Sequence, residues 1–314
     1  MKKVLFATTA LVLTAGMAMA DVKISGSGRV GLTYNDGRDD VFTNRNTMQV
    51  ETRLRFNIDA SKETDAGVTF GGRIRLQSDE GSNNATLSAA YVYAEAGGFH
   101  VEVGNSNTAY DSVALMYNSE IGFVGNSQGD PQGSYFGFNS TGNVAGANSI
   151  GIFAAYSVGD LNARLSYVTP DQTGATIVDE EIGVSFDYKF GQFTVALAAN
   201  QNGGGLANND QIFLGAEYAL NDSTNVGLTY NDNGNSTAFG EATTITLYGN
   251  TKLASGITLK GYVSSIDSTT TAPTDDIAAG IGAEYDLGGA SLAGGIEKRF
   301  NGTTYADLGV NFSF

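Results

Sequence analysis

Cysteine and tryptophan are absent from the 314 residues, histidine occurs once and proline three times. The lack of cysteine excludes disulfide scaffolds, thiolate zinc sites and cysteine nucleophiles. Positive charge is scarce: 17 Lys and Arg stand against 33 Asp and Glu, a formal charge of −16. That balance argues against sequence-independent nucleic-acid binding, and no nucleic-acid partner is expected. Beyond residue 20 no stretch approaches the ~20 apolar residues of a spanning helix. Glycine is abundant, at 42 residues, but without the triplet period of collagen. With 10% aromatic and only 16% charged residues, the composition fits one large β unit, and the length does not demand two domains.

Residues 1–20 read as a secretory signal peptide. Lys2 and Lys3 form its positive end, Val4 to Leu13 its apolar stretch, and Ala18-Met19-Ala20 a small-x-small cleavage site. Cleavage after Ala20 would shift the formal charge from −16 to −18 and leave 21–314 as one domain. An exported chain without a spanning helix enters a membrane only as a barrel.

Strict alternation recurs through the remainder. Val22, Ile24, Val30, Leu32 and Tyr34 share one face with Gly26 and Gly28; Lys23, Ser25, Ser27, Arg29 and Thr33 take the other. Residues 50–60 and 68–77 repeat the pattern, which is that of half-buried strands. Sixteen such segments can be counted: eight from 22–34 to 181–190, and eight from 192–200 to 304–314. Most are near the ~9–11 residues that cross a bilayer when tilted. Short Gly- or Asp-bearing turns (96–98, 159–160, 190–191, 221–222, 254–256, 288–289) alternate with longer polar loops, of which 105–147 is the longest. The pattern predicts an all-β, 16-stranded antiparallel transmembrane β-barrel, apolar face outward, with the long loop folded inward as a constriction.

Four stretches resemble a known family: DVKISGSGRVGLTYND at the start, AAYVYAEAGGFHVEVGN, YDSVALMYNSEIG in the long loop, and the terminal LGVNFSF. Together they are similar to general porins of alphaproteobacteria, the Rhodobacter type. The resemblance implies a homotrimer of barrels in the bacterial outer membrane, each holding a water-filled pore for ions and small hydrophilic solutes. It further implies an in-folded third loop, a C-terminal aromatic signal ending at Phe314 that the barrel-assembly machinery reads, and calcium held by acidic loop oxygens. No cofactor is required. Asp39-Asp40, Asp79-Glu80 and Asp179-Glu180-Glu181 could supply such calcium ligands, although no loop has full EF-hand spacing. With tryptophan absent, Tyr and Phe must form the interfacial girdles.

Charge placement locates the candidate constriction. Nine of the fifteen Lys and Arg residues beyond position 20 lie between 21 and 75, and none between 76 and 163, where eight acids fall. Arg29, Arg53, Arg55, Arg73 and Arg75 share the polar face of the first three strands. One arginine facing lipid at the midplane costs ~2–4 kcal/mol, so five must face the lumen. The long loop carries Asp111, Glu120 and Asp130 and no basic residue. Acids facing an arginine wall across a narrow gap would set up a transverse field, comparable in reach to the ~8 Å screening length at physiological salt. The competing reading is that the arginines merely solvate the pore wall or pair along it with Glu51 and Asp59. The net charge does not settle ion preference, since much of it lies on external loops while the pore wall is locally basic; weak cation selectivity is expected.

Two motifs point elsewhere but lack context. Gly26-Ser27-Gly28-Arg29-Val30-Gly31 spells the dinucleotide fingerprint G-x-G-x-x-G, yet it sits inside a strand with no helix following. His100 alternates onto the lumen face with Glu102, but no nucleophile accompanies them and no enzyme is expected. The alternatives to a general pore are a channel specific for sugar or phosphate, or a structural or adhesive barrel. A sugar channel would need an aromatic track, for which Phe153, Phe213, Tyr248 and Tyr262 are the lumen-side candidates.

Overall fold

In the computed structural model, residues 21–38, 46–81, 84–142, 149–174, 178–235, 238–271 and 273–314 are described. The first strands are β1 (Asp21–Asn35), β2 (Met48–Glu63), β3 (Thr69–Asp79), β4 (Thr86–Leu87), β5 (Tyr91–Ala96) and β6 (Phe99–Gly104). β7 (Ile150–Val158), β8 (Leu161–Thr169), β9 (Glu181–Phe190), β10 (Phe193–Gln201) and β11 (Gln211–Asn221) follow. β12 (Thr224–Asp232), β13 (Ala242–Lys252), β14 (Ile257–Ser268), β15 (Ile277–Asp286), β16 (Ala290–Lys298) and β17 (Thr304–Ser313) complete the sheet. Apart from β4 and β5, each strand pairs antiparallel with its neighbours in sequence, and β17 returns to pair with β1 from Ser27↔Ser313 to Asn35↔Tyr305. β4 and β5 both pair with β3 and make one stave, so the closed barrel has sixteen. Closure leaves no unpaired edge to face lipid.

The expected segment 86–96 is therefore interrupted, for a visible reason. Ser88 bridges in parallel to Gly142, and Gly142 exchanges backbone hydrogen bonds with Leu87 and Ala89. The return arm of the long loop takes over the pairing there.

Burial inverts the rule of soluble proteins. Ser185, Thr244, Thr246 and Ser264 are fully buried on the inner face, whereas Leu165, Phe186, Leu247 and Ile281 on the outer face are exposed. Exposed apolar surface of this extent needs an apolar solvent. At the short-turn end, outer-face rings form two groups: Phe99 with Tyr156, ring centres 4.3 Å apart, and the row Tyr188, Phe190, Phe193 and Tyr218, with the Phe193 and Tyr218 centres 4.6 Å apart. They occupy the interfacial position that tryptophan often fills. Both chain ends of the barrel, Asp21 and Phe314, lie at this same end.

Candidate functional site: the loop-narrowed lumen

The segment 105–142 folds into the barrel because it brings both apolar side chains and unpaired backbone groups that the wall can satisfy. Tyr110, Val113, Leu115 and Met116 pack on Ala196, Ala198 and Phe213 of β10 and β11. Burying each large side chain contributes ~1.5–3 kcal/mol. Ile121 joins Tyr248 and Tyr262 in a second cluster. Leu115 holds a left-handed φ of 69°, a strained conformation offset by its seat against Gly215, where an added Cβ would lie 3.2 Å from it.

Polar anchors finish the docking. Asp307 on β17 accepts the backbone N–H groups of Phe123 and Val124 at 3.2 Å each, and Gly295 N–H at 3.0 Å. Glu181, at the start of β9, accepts from the Phe136 and Gly204 N–H groups, both at 2.8 Å. Ala109 N–H donates to the Ser166 hydroxyl at 2.9 Å, and Gln128 N–H to the Tyr262 hydroxyl at 3.1 Å. The sequence did not single out Asp307, and it offered Glu181 only as a calcium ligand and not as an anchor. The available signal was an acid alternating onto the lumen face with no cation across the strand pair, opposite a loop rich in unpaired N–H groups.

The wall left uncovered by these anchors is that of β2 and β3, where the arginines stand. Register places Arg53 beside Asp79, Arg55 beside Gln77, Asn57 beside Arg75 and Asp59 beside Arg73. Arg53 Nε donates to Asp79 Oδ1 and Arg73 Nε to Asp59 Oδ1, both at 2.6 Å. Arg29 pairs with Glu51 and reaches the carbonyl of Val124 in the loop at 3.3 Å. Among the described residues, Arg55 and Arg75 donate to neutral partners only: Gln77 Oε1 at 2.6 Å and Asn57 Oδ1 at 2.8 Å. Both also donate to the Ser140 hydroxyl, at 3.5 and 2.6 Å, and Arg75 lies 4.4 Å from the centre of the Phe138 ring. All five arginines thus share one face, three of them neutralised along the wall.

The loop acids are half-buried, and among the described residues none forms an ion pair with these arginines. Asp111 accepts the Tyr117 hydroxyl at 2.5 Å, and Tyr117 meets the Tyr135 hydroxyl at 2.7 Å. Glu120 feels Lys260, while Asp130 feels Glu120 and Glu297, and one of its oxygens has no partner. Burial pushes the carboxyls of Asp111 and Glu120 above the usual range and that of Asp130 well above it.

Three of the acids named as calcium ligands have other partners. Asp79 is engaged by Arg53, Glu80 accepts the Thr52 N–H at 3.3 Å, and Glu181 faces the loop backbone. Asp39 and Asp40 lie outside the described residues, as does the 1–20 segment. Among the described residues no group of three or more His, Cys, Asp or Glu side chains converges on a metal position. His100 sits between Glu95 at 3.2 Å and Glu102 at 3.0 Å near the short-turn end, with no hydroxyl or thiol nucleophile bonded to it. Phe153, Phe213, Tyr248 and Tyr262 do face inward, but all four are buried, Phe213, Tyr248 and Tyr262 in the clusters beneath the loop. They form no exposed aromatic track for a sugar.

A closed sixteen-stave barrel with an apolar exterior, a polar interior and a loop docked in its lumen defines a transmembrane channel. A family model, Gram-negative porin, matches residues 7–309. The porin of Fuscovulum blasticum is 40% identical over 300 residues, spanning 94% of this chain and all of that protein. Solved structures of substituted Rh. blastica porins superpose with TM-scores of 0.87 and 0.86 at 39% identity, covering 94% of this chain and all of theirs. The chain belongs to the Gram-negative porin family. It is an outer-membrane diffusion porin that passes ions and small hydrophilic solutes.

Proposed function

We propose that passage is controlled at a constriction between the arginine wall (Arg29, Arg53, Arg55, Arg73, Arg75) and the in-folded loop carrying Asp111, Glu120 and Asp130. The observation that carries this reading is the segregation of charge. The uncovered wall is basic and the loop holds acids alone, so permeating ions and dipoles cross a transverse field in a space where screening extends ~8 Å. Apolar molecules would have to shed hydration there and are retarded. The same reading makes the protein a channel and not an enzyme. Replacing Arg53, Arg55, Arg73 and Arg75 together by Gln should shift the reversal potential in a salt gradient toward stronger cation preference; an unshifted potential would refute the charged constriction.

Three further features belong to this proposal. Residues 1–20 act as a signal peptide removed during export. The mature chains associate as homotrimers, and the C-terminal run Leu308, Val310, Phe312 and Phe314 on the outer face engages the assembly machinery. Support for the last comes from the position of Phe314, whose backbone exchanges hydrogen bonds with Gly26 at 2.8 and 3.0 Å as the final rung of barrel closure.

A further inference from the structure

The β2–β3 wall holds a charge surplus at one place. Its four arginines face two carboxylates in the register, Asp59 and Asp79, and these are taken by Arg73 and Arg53. Gln77 donates its amide N–H to Asp79 Oδ2 at 2.7 Å, which turns its carbonyl oxygen toward Arg55. Arg55 and Arg75 are thus oriented by neutral amide oxygens at Nε, leaving their terminal nitrogens to converge on Ser140. The Phe138 ring beneath Arg75 limits its rotation. Ser140 accepts from both guanidiniums, so its own proton remains free to donate. Two oriented, unneutralised guanidiniums with a hydroxyl donor between them are a recognition geometry for a tetrahedral oxyanion.

We propose that Arg55, Arg75 and Ser140 form a binding station in the pore for phosphate-bearing solutes, where such solutes dwell on their way through. The station rests on the diffusion-pore reading and refines it: the channel is general, but phosphate oxyanions meet a specific partner inside it. A carboxylate offers two coplanar oxygens and a single charge, whereas phosphate offers tetrahedrally placed oxygens and a larger negative charge, so phosphate should bind better. Chloride has no directional acceptor set and should pass with little retention.

The test is single-channel recording of the purified full-length protein in planar bilayers at constant ionic strength. Inorganic phosphate should lower the chloride conductance saturably, with half-effect in the millimolar range, and acetate about tenfold less effectively; this order of affinity is that of a few charge-assisted contacts in water. The R55Q/R75Q double variant should lose the block by tenfold or more. So should S140D, which places a carboxylate against both guanidiniums and keeps the arginines. The station is overturned if phosphate acts no more strongly than acetate in the unsubstituted pore, or if the block survives in both variants. An open pore without block removes the station alone, whereas absence of any conductance would overturn the pore reading itself.

Discussion

Gly26 and Gly28, two of the three glycines in the nucleotide-binding look-alike, turn out to accommodate the C-terminus. A Cβ on Gly26 would come within 2.5 Å of the Phe314 ring, and one on Gly28 within 2.3 Å of the Phe312 ring. The third, Gly31, faces inward with Gly309, and both lie under the Phe123 ring of the loop, at 2.6 and 2.7 Å from a notional Cβ. Each glycine permits a close approach, on the outer face to the terminal aromatics and on the inner face to the loop. Gly28→Val should therefore displace Phe312, with an overpacking cost of ~1–3 kcal/mol. The expected outcome is a lower unfolding temperature for the barrel in detergent, read by heat-dependent gel mobility. Unaltered mobility would contradict the packing described. The spacing of these glycines was legible in the sequence; their partners, distant along the chain, were not.

At the scale of elements, the long loop decides the shape of the lumen, and its acids decide how firmly it docks at a given pH. Asp111 faces Tyr117 and Tyr135, Glu120 faces Lys260, and Asp130 faces Glu120, Glu297 and Ser119. Burial raises all three carboxyls above their values in an undocked loop, so the protonated forms favour docking. Their contribution is full below the ordinary carboxylate range and is lost as pH rises through the raised values. Amide exchange in 107–130, corrected for intrinsic rate, should be slower at mildly acidic than at neutral pH. Asp130→Asn should remove much of that dependence, because Asp130 carries the largest displacement. A loop equally protected at both pH values in both proteins would contradict this account. The inward fold itself was readable from length and composition. The anchors were not, since Asp307 and Glu181 are ordinary strand acids until the loop supplies their N–H partners. The break between β4 and β5 was likewise hidden, because Gly142 pairs there only once the loop has returned.

For the whole molecule, alternation with a period of two was enough to read the barrel, its strand number and its inverted faces, because one face of every strand meets a single solvent. Pairing within the arginine wall depended on register. Asp59 and Asp79 neutralise two arginines of the β2–β3 wall and leave two free, a distinction that a count of charges cannot make. The net charge of −16 is thus a poor guide to the lumen, whose uncovered wall is basic. The central claim, a continuous water-filled path past the docked loop, is tested most directly by single-channel conductance of the purified protein in planar bilayers. The account predicts stepwise, ohmic openings whose size scales with the conductivity of the bathing salt; electrically silent insertion would contradict it.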